Sequence, residues 1–210
     1  MSRLIGPKAK LCRNYGVNLF GSGKYDRILV KKPNPSGMHG PKQGGKKGKV
    51  SQYGSQLKAK QICALVYGGI REKQFRLYVE KGNAMAGDSS ENLLRLLECR
   101  ADTVIFRSGI ADTIFQSRQM VNHGHFELNG KKIMTASIQL KPGDVLQVID
   151  HKKKMKLYQG IVGTKEKMEK VKSWLKVDFK NFSITVQEFP NKDHFDPIIN
   201  PKAIIEFYSR

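Results

Sequence analysis

The sequence has few cysteines and no long apolar run, and each shortage excludes a class of protein. Cys12, Cys63 and Cys99 are its cysteines and form no CxxC pair, which argues against a disulfide framework and a zinc ribbon. No apolar run of about eighteen residues, signal peptide or lipidation motif occurs, which argues against a membrane protein. We therefore expect a soluble cytoplasmic protein with reduced thiols, Cys63 and Cys99 being packed in helices, and with no metal or other cofactor.

Acidic residues are also scarce. The chain has 38 Lys and Arg residues against 18 Asp and Glu residues, a net charge of +20. A folded chain with this charge repels itself unless a polyanion neutralises it, so nucleic acid is the first partner to consider, ahead of a membrane surface. The length of 210 residues and the hydrophobic content of 39% suit one large or two small folded domains.

The positive charge is concentrated in residues 1–50, which contain 12 basic residues and 1 acidic residue. Turn formers are frequent there and apolar residues are few, which predicts an extended basic arm; a solvated flexible tail is the alternative. Residues Gly40 to Lys46 fit the pattern GxxxxGK. Lys47 follows where a phosphate-binding loop needs Ser or Thr, and no apolar strand precedes the motif, so nucleotide hydrolysis is excluded.

Helical patterns follow the arm. One helix is predicted from Ser51 to Gly68-Gly69, a second from Arg71 to about Lys81, stopping near Gly82, and a third after a capping box formed by Asp88 and Glu91. Asn200 and Pro201 open a last helix that would bury Ile204, Ile205 and Tyr208 against the earlier ones. These helices make up a predicted helical domain of residues 51–97 with 198–210.

The sequence pattern of residues 98–197 predicts an α+β module. Short helices are expected at residues 100–108, ended by Gly109, and from Thr113 to Asn122, with Thr113 and Gln116 as a capping box. Asn129-Gly130 is a strong hairpin signal after the alternating segment HFEL. Further strands are expected at Val145–Val148, Leu175–Asp178 and Ser183–Gln187, with a helix from about Thr164 to Trp174.

The stretch RQMVNHGHFELNGKKI, Arg118 to Ile133, raises three hypotheses: a metal site, a catalytic site or a binding surface. Two histidines on a turn lack further ligands at a recognised spacing, and the chain has neither GxSxG nor a Cys/His signature. A helix followed by a hairpin would instead gather hydrogen-bond donors that suit phosphate and ribose, with an ordinary solvated face as the alternative. Residues 98–150 have zero net charge, so we expect their six basic and six acidic residues to lie on opposite sides.

Three stretches carry a family resemblance: ENLLRLLECRADTVIFRSG, RQMVNHGHFELNGKKI and KPGDVLQV. They closely resemble the RNA-binding domain of the bacterial-type small-subunit ribosomal protein four family, a domain also found in some tRNA synthetases and pseudouridine synthases. The resemblance extends to the arm, the helical domain and the C-terminal helix of that family through RLIGPKAKLCRNYGVNLF, KKPNPSGMHGPKQ, YGSQLKAKQ, YGGIREKQFRLY and IIEFYSR. It therefore covers nearly the whole chain.

The resemblance implies a non-enzymatic, primary binder of small-subunit ribosomal RNA at a multi-helix junction. Such a protein helps nucleate assembly of the subunit body and influences decoding accuracy. The implied partners are small-subunit ribosomal protein five and messenger RNA on its way into the ribosome, with no membrane contact and no free homo-oligomer. The implied location is the small subunit of a cytoplasmic ribosome, with an organellar ribosome as the alternative.

The implied fold is α+β. An extended basic arm precedes a helical domain that includes the C-terminal helix, and an α+β RNA-binding module of helix-turn-helix plus antiparallel strands is inserted into that domain. Two departures from the family pattern are visible. Only Cys12 remains of four arm cysteines that bind zinc in some members, which implies the zinc-free form. Ile114 and Phe115 follow Thr113 where an arginine is usual, so we expect this helix to rely on Arg118 and Gln119.

We predict RNA contacts from basic, amide and aromatic side chains in all three regions. Those of the arm are Arg3, Lys8, Lys10, Arg13, Lys31, Lys32, His39, Lys42, Lys46, Lys47 and Lys49. Those of the helical domain are Tyr53, Lys58, Arg71, Lys73 and Arg76. Those of the module are Arg100, Arg107, Arg118, Gln119, His123, His125, Asn129, Lys131 and Lys132.

Two other hypotheses use the same module. The segment CRAD, Cys99 to Asp102, resembles the Arg-x-Asp of pseudouridine synthases, which suggests an RNA-modifying enzyme. No separate catalytic domain fits in 210 residues, however, and the segment opens a helix of the module. A free-standing RNA-binding stress factor is the other hypothesis, but such proteins are shorter and lack the arm and the helical domain.

Overall fold

The computed structural model describes residue 4 and residues 6–37, 51–159 and 171–209. The chain divides into two compact units, Met1–Val79 with Pro197–Arg210 and Glu80–Asp196. The domain limits predicted from the sequence, 1–50, 51–97 with 198–210, and 98–197, stay a prediction. Among the helices that the structure describes, none has both the length and the apolar character needed to cross a membrane.

The first unit begins with two helices, α1 at Lys8–Tyr15 and α2 at Gly23–Lys31. The expectation of an extended arm is therefore wrong for these residues. Gly16 ends α1 in the left-handed conformation and donates its N–H to the Cys12 carbonyl, a common way to close a helix. Cys12, Leu19 and Phe20 are buried, so this part of the arm has a small apolar core that the basic composition concealed.

The predicted helix after Ser51 is confirmed as α3, Gln52–Val66, and the Ser51 side chain caps it by accepting from Gly54 N–H. The C-terminal helix, Pro201–Tyr208, packs against α3, and the Asn200 side chain caps it by accepting from Ala203 N–H. Ile204 is fully buried. Gln56 lies on the buried face of α3, where its amide donates to Glu206 at 2.8 Å.

The second predicted helix is confirmed as α4, Glu72–Ala84, which continues two residues past Gly82. Gly82 has a packing role instead. A Cβ built on it would lie 3.2 Å from the backbone nitrogen of Leu93 in α5, Ser89–Glu98, so the missing side chain lets α5 approach. The Asp88 side chain caps α5, accepting from Ser90 N–H at 2.9 Å, but the other half of the predicted capping box is wrong, because the Glu91 carboxylate pairs with Lys192 instead.

Two further helices follow, α6 at Ala101–Arg107 and α7 at Ile114–Asn122, and they pack on each other. The Thr113 hydroxyl accepts from Gln116 N–H as predicted. The Gln116 side chain reaches back one residue further than predicted, because its oxygen accepts from Asp112 N–H.

The sheet is antiparallel, with β1 at Phe126–Leu128, β2 at Lys131–Ile133, β3 at Val145–Val148, β4 at Leu175–Asp178 and β5 at Ser183–Val186. Its strand order is β2-β1-β3-β5-β4, and the predicted strands are confirmed. One face of the sheet and helices α6 and α7 share a core that includes Val121, Phe126, Leu146 and Ile184.

Two one-turn helices, α8 at Asp150–Lys153 and α9 at Lys156–Gln159, follow β3 and were not predicted. The helix predicted from about Thr164 to Trp174 falls mostly outside the described residues. Its described part, residues 171–174, is not helical, and Trp174 is buried in the turn that leads into β4.

The three cysteines are buried and form no disulfide. Cys63 lies in α3 as predicted, whereas Cys99 directly follows α5 instead of lying in it. Burial raises the pKa of the Cys99 thiol to about 12. A thiol with this pKa stays protonated near neutral pH and is therefore a poor nucleophile.

Candidate nucleic-acid interface

The hairpin β1–β2 presents two lysines of the second unit to solvent. Asn129 and Gly130 both have positive φ, +50° and +78°, as a tight two-residue turn requires. Lys131 pairs with Leu128 and Lys132 pairs with Glu127 across the hairpin. Both lysine side chains are exposed, but successive side chains of a strand point to opposite faces, so Lys132 lies on the face of Glu127 and Lys131 on the face of Leu128.

The turn between α7 and β1 lies directly against this hairpin. Gly124 has a φ of +62°, and a Cβ on it would collide with Cε of Lys132 and lie 3.2 Å from its Nζ. The aliphatic stem of Lys132 therefore lies across Gly124, next to the exposed ring of His123. This brings Lys132 beside the turn that contains His123, whereas Lys131 lies on the other face of the hairpin.

His125 was expected on the surface with His123, and that expectation is wrong. Its side chain is buried, and Nδ1 lies 3.0 Å from the hydroxyl of the fully buried Tyr158. Burial lowers the pKa of His125, and the charges of Lys152, His123 and His151 lower it further. His125 is therefore mainly neutral near neutral pH and holds the fold together.

Arg118 does not point freely into solvent, contrary to the expected role in the surface. Its guanidinium bonds to the carboxylate of Asp102 at 2.8 Å, and its side chain is only 19% exposed. Arg100 bonds to the same carboxylate through both Nε and Nη2, at 3.0 and 2.8 Å. Asp102 is fully buried, so the two arginines compensate a charge that would otherwise be very costly in the interior.

Arg107 has a similar partner. It makes two parallel hydrogen bonds to the buried carboxylate of Glu98, at 3.0 and 2.7 Å, a geometry that suits a guanidinium. Residues 98–150 have zero net charge, yet they can present positive charge to a ligand without the predicted separation of basic and acidic residues on opposite sides. Two of the acidic residues, Glu98 and Asp102, are buried against three of the arginines, and lysines remain on the surface.

The remaining predicted residues of the module differ in what they offer. Gln119 is exposed on α7, whereas Ile114 is buried. Asn129 is exposed, but its amide donates to Asp144 and its oxygen accepts from Val145 N–H, so it fixes the turn. Gln119 is therefore the predicted residue of α7 whose side chain is exposed and can contact a ligand.

In the first unit, some predicted residues are held by neighbours. Arg13 donates to the carbonyls of Lys32, Asn34 and Pro35, which fastens the segment after α2 to α1. Lys8 lies 6.0 Å from the ring centre of Phe20, and partial burial lowers its pKa.

Other predicted residues of the first unit are accessible. Tyr53 is 52% exposed and lies beside Phe207, with ring centres 5.6 Å apart. The exposed basic residues there include Lys10, Lys31, Lys32, Lys58, Arg71, Lys73 and Arg76. The predicted contacts Arg3, His39, Lys42, Lys46, Lys47 and Lys49 lie outside the described residues.

Sequence reasoning missed the charged residues of α8 and α9. His151 and Lys152 lie in α8, and their charges contribute to lowering the pKa of His125. The run HKKKMK was visible in the sequence, but no periodic pattern linked it to the hairpin. Among the described residues, no group of three or more His, Cys, Asp or Glu side chains could hold a metal ion.

This arrangement supplies ammonium and imidazole groups that can donate hydrogen bonds, next to a hairpin that fixes two of them. Such donors bind phosphate and ribose oxygens without reading base identity. The geometry therefore fits the backbone of a folded nucleic acid.

Comparison with known families gives two matches that together cover residues 3–146. The family model described as "Ribosomal protein S4/S9 N-terminal domain" matches residues 3–98, and the one described as "S4 domain" matches residues 99–146. Among curated proteins, the chain is 39% identical to the "Small ribosomal subunit protein uS4" of Pseudothermotoga lettingae over 217 residues, with all of both chains covered. The same protein of a Sulfurihydrogenibium species is 40% identical over 209 residues, again with all of both chains covered. That of Borrelia hermsii is 35% identical, with 100% of this chain and 99% of the relative covered.

Proposed function

The chain belongs to the uS4 family of small ribosomal subunit proteins, which are structural and not enzymatic, and from this premise we propose that its basic surface binds small-subunit ribosomal RNA. The protein acts as a structural constituent of the small ribosomal subunit. An RNA-modifying enzyme does not fit this family, and a short stress factor does not fit matches that span the whole of both chains.

The exposed residues His123 and Lys132, which meet at Gly124, carry this proposal, and Lys131 adds a charge on the other face of the same hairpin. The buried acids Glu98 and Asp102 are occupied by arginines, so they do not neutralise these donors. In the first unit, Lys10, Lys31, Lys58 and the exposed basic residues near the start of α4 supply further phosphate contacts. The proposed RNA contacts of the arm also include the predicted residues His39, Lys42, Lys46, Lys47 and Lys49.

Recognition depends on the shape of the RNA. Base-paired RNA has a deep, narrow major groove that side chains cannot read, so phosphate and ribose contacts dominate. A rigid hairpin and helix turn select a junction by the positions of its phosphates. This mechanism accounts for specificity without base-reading side chains.

We also propose which RNA and which neighbours surround the protein in the subunit. The RNA partner is a multi-helix junction that the protein binds early, which helps nucleate assembly of the subunit body. Ribosomal protein five is a neighbour, messenger RNA passes nearby, and this position influences decoding accuracy. The ribosome in question is cytoplasmic.

Binding to a small-subunit ribosomal RNA transcript at increasing potassium chloride concentration tests the proposal. The logarithm of the binding constant should fall with the logarithm of salt concentration by about 0.7 to 0.9 for each phosphate neutralised. An unrelated RNA of equal length is the control for specificity. A slope near zero, or equal affinity for the two RNAs, would contradict the proposal.

A further inference from the structure

The segment Asp150–Gln159, which contains α8 and α9, carries a dense positive charge. It has four lysines at positions 152, 153, 154 and 156 and a single carboxylate, Asp150. Asp150 forms an ion pair with Lys153 at 2.7 Å, which leaves Lys152, Lys154 and Lys156 without that partner. The S4-domain model ends at residue 146, so the segment lies beyond the part of the module that the family match covers.

The segment is fastened at both ends to one residue, His125. At its start, Ile149 N–H donates to the His125 carbonyl at 3.0 Å. At its end, the Tyr158 hydroxyl lies 3.0 Å from His125 Nδ1, and the fully buried ring of Tyr158 packs edge-on against Phe182. The lysines between these two anchors are therefore held on the folded module and do not belong to a loose tail.

His125 also connects this segment with the hairpin surface. The residue before it is Gly124, over which the stem of Lys132 lies, and His123 is exposed next to that glycine. His125 and His123 have ring centres 6.4 Å apart. His125 thus contacts the start of α8 through its carbonyl and directly follows the turn over which Lys132 lies.

We propose that Asp150–Gln159 is a second phosphate-binding segment of the same RNA interface, in which Lys152, Lys154 and Lys156 contact the ribosomal RNA backbone beside His123 and Lys132. The inference rests on the proposed function, because it assigns this segment to the RNA that the hairpin binds. Lysine ammonium groups bind phosphate as point charges and need no fixed hydrogen-bond geometry, which suits a short basic segment in which Lys154 and Lys156 are exposed and Lys152 is half-buried. An acidic protein partner would use the same charges and is an outcome of the test.

Two triple variants of the full chain, matched in charge, test this inference. Lys152→Ala, Lys154→Ala and Lys156→Ala form the test variant, which retains Lys153 and its ion pair. Lys141→Ala, Lys176→Ala and Lys180→Ala form the control, because these lysines are exposed elsewhere in the second unit. Both variants lower the net charge equally, so long-range attraction to RNA changes equally.

The test variant should bind the ribosomal RNA transcript at least about tenfold more weakly than the control, with a salt slope smaller by about 0.7 to 0.9 per lost phosphate contact. Equal losses in the two variants overturn the inference, even where wild-type binding upholds the proposed function. Failure of the wild-type chain to prefer ribosomal RNA contradicts the proposed function instead. Thermal melting followed by circular dichroism checks that both variants are folded.

A tethered probe tests proximity independently of charge. The native cysteines are at most 3% exposed, so a single introduced cysteine can carry an iron chelate that cleaves nearby RNA. Lys154→Cys should cleave the bound transcript close to the sites cut from Lys132→Cys, whereas Lys180→Cys should not. Cleavage from position 132 without cleavage from position 154 overturns the inference and points to a different partner for the segment.

Discussion

Arginines and lysines of the second unit occupy opposite environments. Arg100, Arg107 and Arg118 bond to buried carboxylates and have side-chain exposures of 5, 14 and 19%. Lys131 and Lys132 are exposed on the hairpin. A planar guanidinium satisfies a buried carboxylate with two bonds, whereas a strongly hydrated ammonium stays in water until phosphate replaces that water. In this module, arginine builds the scaffold and lysine is available for the ligand.

The largest effect that tests this division is expected from Asp102→Ala. The substitution leaves Arg100 buried without its carboxylate and should lower the free energy of unfolding by about 3 to 5 kcal/mol. Urea unfolding measures this loss. Glu188→Ala, which removes an exposed carboxylate of the same unit, should change stability by less than about 0.5 kcal/mol. Similar losses in the two variants would show that the buried arginine pairs are not structural.

The double substitution Lys131→Ala with Lys132→Ala should lower RNA affinity and leave stability unchanged, the opposite of what is expected for Asp102→Ala. Loss of two charge-assisted contacts should weaken binding to the ribosomal RNA transcript by about 1 to 3 kcal/mol. The midpoint of urea unfolding should stay unchanged, since both side chains are exposed. Filter binding and unfolding of the same preparations separate the two quantities, and a variant that loses stability but keeps its RNA affinity would reverse our assignment.

Gly124→Ala probes how the scaffold positions a lysine. Alanine at positive φ should cost about 1 kcal/mol of stability, and its Cβ displaces the stem of Lys132, so RNA affinity should fall as well. Gly143→Ala is the matched control, because Gly143 has a φ of +90° but nothing within 4 Å of the added Cβ. It should lose stability and keep its affinity.

A double-mutant cycle completes this prediction. In a chain that already carries Lys132→Ala, Gly124→Ala should have no further effect on affinity, because the side chain that it displaces is gone. Additive losses would show that Gly124 acts on RNA binding in some other way than through Lys132.

The smallest effect concerns pH and the buried His125. Its pKa is lowered below the ordinary value of 6.5, so the unfolded chain binds a proton more readily than the folded chain. The stabilisation that the neutral ring provides is complete above pH 6.5 and is lost as the pH falls from there towards the lowered pKa of the folded state. Unfolding free energies between pH 8 and pH 5 should fall less steeply for His125→Gln than for the wild-type chain, and parallel curves would contradict this.

The sequence predicted best those features that depend on neighbours along the chain. Asp88 and Thr113 were recognised as helix caps, and Asn129-Gly130 as a turn, because each acts within three or four residues. The environments of Arg118 and His125 depend on Asp102 and Tyr158, which are 16 and 33 residues away. Such partners follow from the packing of whole elements, which a single sequence does not reveal.

The distinction between features set by neighbours along the chain and features set by tertiary packing also explains the other differences between prediction and structure. Gly82 looks like a helix end locally, yet it serves the approach of α5, and that approach is a tertiary contact. The short helices α8 and α9 have too few residues for a periodic pattern. In the arm, strong charge concealed the few apolar residues that pack α1 and α2.

The pairing of α3 with the C-terminal helix sets an order of events during synthesis. Gln56 and Glu206 are 150 positions apart, so the partner of α3 leaves the translating ribosome long after α3 does. The unit Glu80–Asp196, by contrast, has its residues consecutive in the chain and can fold as soon as they emerge. We expect the nascent chain to acquire its sheet first and to complete its helical unit only after the helix Pro201–Tyr208 has emerged from the ribosome.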